Sequence, residues 1–389
     1  MDLTGIVGRA LPALDACAPE MVVETLRLLL REALPVQDLA VYLVDYDQEL
    51  LLELTDGTHH SARVVDVEEG PLGEAFVSGA PVVVEDGHGG AVTHVPMVSR
   101  GERFGVLVVS TSSPPPTTAV DELVRLGAVL ALVVPQASLY SDHLERTRRA
   151  VPLTLPAEIQ WSELPVRAYS CDRFDVAGQL CPAYEVGGDV FDYTLEGNHL
   201  QVTALDAMGH GLGASLLGSL AINALRNNRR AGLSLVDQVR GADRVLYGQH
   251  GGDKFVCGAF VRLDTETGDV VAVNAGHPFG VLVRAGAGRP FDVPAQLPLG
   301  LFERTMYDEH RMRLEPGDRL VLVSDGVLEA APPGGEEYGE ERLVADLEAL
   351  DGMGADETVR RVIRRLRHFE GVDLRDDITV IVLDWRGAG

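Results

Sequence analysis

Apolar residues at Val22, Val23, Leu26, Leu29 and Leu30 recur at helical spacing between Met21 and Ala33 and predict an amphipathic helix there. Leu39 to Val44 and Leu50 to Leu54 are apolar runs on either side of the polar Asp45 to Gln48, which reads as a hairpin. Gly70 to Phe76 predicts a glycine-bounded turn into a short helix, and Pro81 to Val84 a strand. Val95 to Val98 and Phe104 to Val109 predict a second hairpin across Arg100 and Gly101. Residues 1–118 therefore read as one small α+β domain.

Beyond the turn-rich Ser112 to Thr118, apolar residues fall at alternating three- and four-residue intervals: Leu123, Leu126, Leu130, Val133, Ala137, Tyr140 and Leu144. Two readings fit this pattern, a coiled-coil seam that pairs two chains or a last helix packed on the first domain's own sheet. Pro135 interrupts the pattern and predicts a kink or break, because it removes a backbone donor at a cost of about 3 kcal/mol. Pro152, Pro156 and Pro165 close the stretch, so residues 119–166 read as a linker and residues 167–389 as a second domain. In that domain Leu200 to Leu205, Val270 to Val273, Arg319 to Ser324 and Ile378 to Leu383 predict strands, and Ala214 to Leu225 a helix.

The length of 389 residues agrees with two domains, and 46% hydrophobic with 24% charged residues is the composition of globular protein. A net charge of −26 repels nucleic-acid phosphates and anionic lipids, so neither is an expected partner. Cys17, Cys171, Cys181 and Cys257 include no Cys-x-x-Cys pair and are expected to be reduced, mostly buried thiols. No basic segment leads into an apolar one at Met1, and the longest apolar run, Ala128 to Val134, is too short to span a bilayer; a cytoplasmic location is expected.

Four acids share one context. Asp189 follows Gly187 and Gly188, Asp206 and Asp325 end predicted strands, and Asp376 immediately precedes one. Strand ends can converge on one edge of a sheet, where two carboxylates ~4 Å apart repel by about 4 kcal/mol at an effective dielectric of about 20. Such a cluster needs cations, and oxygen ligands select hard ones: Mg²⁺ or Mn²⁺, as a pair suited to in-line phosphoryl displacement. Any one of these acids alone is more readily explained as a turn residue beside glycine.

The string of motifs decides more than any member. Pro182-Ala183-Tyr184-Glu185-Val186-Gly187-Gly188-Asp189, Asp206-Ala207-Met208-Gly209-His210-Gly211, Asn274-Ala275-Gly276-His277, Ser324-Asp325-Gly326-Val327-Leu328-Glu329-Ala330 and Asp376-Asp377-Ile378-Thr379 follow in that order. Together they resemble the SpoIIE/RsbU branch of the type 2C (PPM) serine/threonine phosphatases. The resemblance implies an α/β/β/α sandwich of two antiparallel sheets and phosphoserine or phosphothreonine proteins as substrates, typically anti-anti-sigma factors of the STAS type. It implies that Asp206 bridges two Mn²⁺ or Mg²⁺ ions with the Ala207 carbonyl beside it, that Asp189 serves the first ion, and that Asp325 and Asp376 serve the second. Asp377, Gly188, Gly209 and Gly326 are implied as supporting residues. The first domain resembles a GAF sensor domain through Gly70-Pro71-Leu72-Gly73-Glu74-Ala75-Phe76, Val95-Pro96-Met97 and Gly105-Val106-Leu107, with an unknown ligand.

Two departures from the family pattern bear on mechanism. The position two residues after Asp206, a His in eukaryotic members, is Met208, with His210 as a nearby candidate acid. The usual helix ending in Gln-x-x-Leu-Leu-Pro is here interrupted by Pro152 and Pro156 before Gln160 and Leu164-Pro165. His277 and Asn274 read as turn residues, and Arg360, Arg361, Arg364, Arg365 and Arg367 as a solvated helix face over Val359, Ile363 and Leu366. A dinucleotide-binding reading of Gly209, Gly211 and Gly213 fails because Asn227 to Gly232 reads as a basic turn rather than a second strand. A pseudophosphatase acting by partner binding is the remaining rival, opposed by the retention of every implied ligand.

Overall fold

Valine and leucine cluster in residues 39–44 and 106–109, and the strands that hold them, Val36–Val44 and Glu102–Thr111, pair at the centre of the first sheet. The computed structural model describes residues 5–55, 63–181, 187–278, 280–371 and 376–387, so Pro182 to Val186 of the first motif lie outside the described residues. The chain divides into two units, Met1–Pro152 and Leu153–Gly389.

The first unit orders α1 (Ile6–Ala16), α2 (Val22–Arg31), β1 (Val36–Val44), β2 (Leu50–Glu53), β3 (Val64–Asp66), α3 (Gly70–Ser78), β4 (Val82–Glu85), β5 (Ala91–Ser99), β6 (Glu102–Thr111), α4 (Thr117–Ser138) and α5 (Asp142–Thr147). Its antiparallel sheet runs β3-β2-β1-β6-β5-β4. The β5–β6 hairpin turns at Arg100 and Gly101, both left-handed with φ 51° and 89°, as a two-residue turn matched to strand twist requires.

Helix α4 settles how its apolar stripe is used. Leu123, Leu126 and Leu130 are at most 1% exposed and pack with Val95, Met97, Leu107 and Val109 of the sheet, so the expected seam lies in the core of its own unit. Outward it presents Leu132, 59% exposed, and beyond its end stand Leu139 and Tyr140 at 73% and 78%. The break expected at Pro135 does not occur there. Pro135 falls in the last turn of α4, where one forgone bond does not propagate, and the helix ends only after Ser138. The single helix expected through Leu144 is two, because the Ser141 side chain accepts the His143 N–H and caps a new start.

The second unit adds α6 (Leu155–Glu163), β7 (Ala168–Ser170), β8 (Phe174–Cys181), β9 (Val190–Glu196), β10 (His199–Ala207), α7 (Leu212–Arg230), α8 (Leu235–His250), β11 (Val256–Asp264), β12 (Asp269–Ala275), β13 (Val281–Arg284), β14 (Ala287–Pro290), β15 (His310–Arg313), β16 (Arg319–Val323), α9 (Asp325–Glu329), α10 (Gly339–Ala349), α11 (Ala355–Glu370) and β17 (Ile378–Trp385). One antiparallel sheet runs β15-β12-β11-β10-β9 and the other β14-β13-β16-β17-β8-β7. Phe174, Val176, Val202, Ala259, Leu320 and Ile381 fill the layer between them. The outer face of the first sheet packs on α7 and α8, and that of the second on α9, α10 and α11. This is the expected α/β/β/α sandwich, and covering on both faces explains strands that read as unbroken apolar runs.

Three smaller expectations change. Residues 227–230 continue α7 instead of turning, because Arg226 and Arg229 grip Asp192 of β9 at 2.9 and 2.8 Å. All four thiols are free, but only Cys181 is buried. Arg360 is buried against Glu357 rather than solvated, while Arg365 pairs with Asp346. Among the described residues no helix is long and apolar enough to cross a membrane.

Candidate metal centre

Each sheet brings acids to one end of its strands. Val190 faces Leu205 across β9 and β10, which sets Asp189 and Asp206 at the same end of that pair. Ser324 and Thr379 continue the β16–β17 ladder, the Ser324 N–H donating to the Thr379 carbonyl at 3.0 Å, and this places Asp325 beside Asp376 and Asp377. The Thr379 hydroxyl then crosses between the sheets and donates to Asp189 Oδ2 at 2.7 Å.

The carboxylates feel one another across this junction. Burial pushes Asp206 up to about 7, and Asp325, Asp376 and Asp377 push it in the same direction. Asp189 is raised well above the ordinary carboxylate range by burial, then by Asp377 and Asp206, against the hydrogen bonds of Thr379 and Ser324. Cys257, paired with Asp206 in the ladder, is pushed up to about 12 by burial, with Asp206 and Asp325 adding to it. Among the described residues no three His, Cys, Asp or Glu side chains close on a common point tightly enough to hold an ion as they stand. The donor set nevertheless fits hard divalent cations: it is all oxygen, and the neighbouring carboxylates add to burial in raising Asp189 and Asp206, which a cation would reverse.

Glycines make the approach of the loops possible. A β-carbon on Gly188 would stand 2.3 Å from the Ala207 carbonyl oxygen, and one on Gly326 would stand 2.1 Å from the Asp377 carbonyl oxygen. Gly209 and Gly211, with φ of 95° and 68°, turn the chain sharply from Asp206 into α7.

Asp377 is occupied differently from its neighbours. Its carboxylate accepts the Gly187 N–H at 2.6 and 2.8 Å and the Asp189 N–H at 3.3 Å, clamping the loop that presents Asp189. Burial raises it to about 6 although those backbone donors pull it down. Gln160 of α6 supports the same loop, donating to the Asp189 carbonyl at 2.6 Å, and Ser215 of α7 donates to the Gly187 carbonyl at 3.0 Å. Sequence reasoning assigned no role to Thr379, Gln160 or Ser215, although the first two sit inside recognisable motifs. His277 and Asn274 form the expected turn, the His277 N–H donating to Asn274 Oδ1 at 2.9 Å. His210 is exposed on the loop after Asp206.

A pH dependence follows. Asp206 holds its proton more tightly folded, at about 7, than unfolded, at about 3.8, so metal-free stability from this group falls as pH rises from about 4 to about 7. In chelator, the urea midpoint of Asp206→Asn should gain on that of the native chain between pH 5 and pH 7.5; added Mn²⁺ should reverse the difference.

Residues 196–386 match the family model for Stage II sporulation protein E (SpoIIE), a span that begins after Asp189, and residues 18–137 match that for the GAF domain. Phosphoserine phosphatase RsbU of Bacillus subtilis (strain 168) is 22% identical over 277 residues, covering 69% of this chain and 81% of that protein. Phosphoserine phosphatase RsbP of the same organism is 24% identical over 163 residues, but the chain spans only 40% of its length. The crystal structure of the RsbU and RsbW domains of Rv1364c from Mycobacterium tuberculosis superposes with TM-score 0.50 at 25% identity, over 56% of this chain and 62% of that one.

Proposed function

We propose that the chain, whose residues 196–386 match the SpoIIE family model and residues 18–137 the GAF model, is a metal-dependent phosphoserine or phosphothreonine protein phosphatase of the PPM type governed by its GAF domain. The observation that carries the reading is the junction of the two sheets, where the strand ends bring Asp189 and Asp206 to Asp325, Asp376 and Asp377 and the Thr379 hydroxyl binds Asp189 across it, with Asp206 raised first by burial and then by Asp325, Asp376 and Asp377. Asp206, with the Ala207 carbonyl, would hold both of two Mn²⁺ or Mg²⁺ ions, Asp189 would complete the first site, and Asp325 and Asp376 the second. Such ions polarise phosphoryl oxygens and lower the pKa of water to supply a nucleophile at neutral pH. The chain's own part is to hold this geometry: Asp377 fixes the Asp189 loop, and Gly188, Gly209 and Gly326 let the backbones approach.

The substrate in this reading is a phosphorylated STAS-type anti-anti-sigma protein; the names of the phosphoserine phosphatase relatives support phosphoserine as the group attacked. Control by the GAF domain would act on the loops around Asp206 and Asp189, and Gln160, seated on the Asp189 carbonyl, is a point where α6 can shift that loop. A homodimer through the linker would use exposed Leu132, Leu139 and Tyr140 rather than the buried stripe. The test is phosphate release from a phosphoserine STAS protein by the full chain with Mn²⁺. Release that stops with chelator supports the reading; tight binding without release makes the chain a pseudophosphatase.

A further inference from the structure

Of the 33 Lys and Arg residues in the chain, Lys254 is the only lysine. Arginines supply the structural ion pairs, as in Arg167–Asp356, Arg226–Asp192 and Arg319–Asp384, the last a fork that reaches both Asp384 oxygens. Lys254 differs from them, being exposed and forming no ion pair or hydrogen bond among the described residues. Its position is nonetheless defined. Val256 faces Ala207, Cys257 faces Asp206, and the Phe255 carbonyl accepts the Met208 N–H at 3.2 Å, which carries Lys254 alongside the loop that follows Asp206. Its ammonium lies 3.8 Å from where a β-carbon on Gly213 would stand, over the first turn of α7.

That placement is unfavourable for a cation left alone. The start of a 19-residue helix carries the positive end of its dipole and repels an ammonium, and the first turn of that helix holds no acid to offset it. An anion seated beside the Asp206 loop would meet the lysine and the helix start together. Resting on the phosphatase reading above, we propose that Lys254 anchors the substrate's phosphoryl group, its ammonium binding a non-bridging phosphate oxygen as the ester is positioned at the carboxylate cluster. A single, swivelling point charge suits a phosphate that must be gripped and released.

The test uses the full chain with Mn²⁺ and a phosphoserine peptide. K254M should raise KM roughly 10–100-fold, the size of one lost charge-assisted hydrogen bond, with kcat within about threefold, and K254R should recover most of the loss. As the sole lysine, Lys254 can also be acylated and followed by mass spectrometry, and inorganic phosphate with Mn²⁺ should slow that modification. An active native chain with unchanged KM in K254M, equal losses in K254M and K254R, or no phosphate protection overturns the role of Lys254 alone. A native chain that releases no phosphate overturns the phosphatase reading as well.

Discussion

Asp206→Asn is expected to lose Mn²⁺-dependent phosphate release almost entirely while keeping its fold. The change preserves shape and removes the charge that two ions would share, forfeiting several kcal/mol of transition-state stabilisation. At about 1.4 kcal/mol per factor of ten, that is a fall of roughly 10³-fold in kcat. Structure should be retained because Asp206 is opposed in the metal-free protein by Asp325, Asp376 and Asp377, so neutralising it relieves repulsion. Steady-state rates beside circular dichroism check both halves; equal rates for the two proteins would remove Asp206 from the chemistry.

Gly188→Ala is expected to damage fold and metal affinity together. The new β-carbon would stand 2.3 Å from the Ala207 oxygen, backbone against backbone, with no flexible side chain to yield. Neither partner is free to retreat. The Gly188 carbonyl accepts the Ala207 N–H at 3.2 Å, and Asp377 grips the N–H groups of Gly187 and Asp189 on either side. Overpacking of this kind costs about 1–3 kcal/mol, and displacing the Ala207 carbonyl should weaken Mn²⁺ binding by roughly tenfold or more. Gly209→Ala is the control: nothing lies within 4 Å of its β-carbon, so only the strain of its positive φ, about 1–2 kcal/mol, remains. Urea unfolding and calorimetric Mn²⁺ titration of both variants separate the two effects.

Much of the second domain was legible because its strands are covered on both faces. Largely apolar runs leading up to Asp206 and Asp325, or starting just after Asp376 and Asp377, marked both the strands and the acids at their ends. The stripe on α4 was equally visible, but its partner was not, since the same leucines suit a second chain or the unit's own sheet. Helix α1 escaped notice because its buried face is a single row, Ile6, Ala10 and Leu14, with Pro12 inside the pattern. Asp377 sits next to an expected ligand, and only the fold shows its carboxylate turned to the Gly187 and Asp189 amides. Gln160 lies 29 residues before Asp189, and Lys254 depends on the register of β10 against β11, so neither contact could be read from local spacing.

Anomalous diffraction from crystals of the full chain soaked in Mn²⁺ addresses the metal centre most directly. Two peaks are expected, both within about 2–2.5 Å of the Asp206 carboxylate, one shared with Asp189 and the Ala207 carbonyl and the other with Asp325 and Asp376. Ions bound elsewhere, with none at Asp206, would contradict the account.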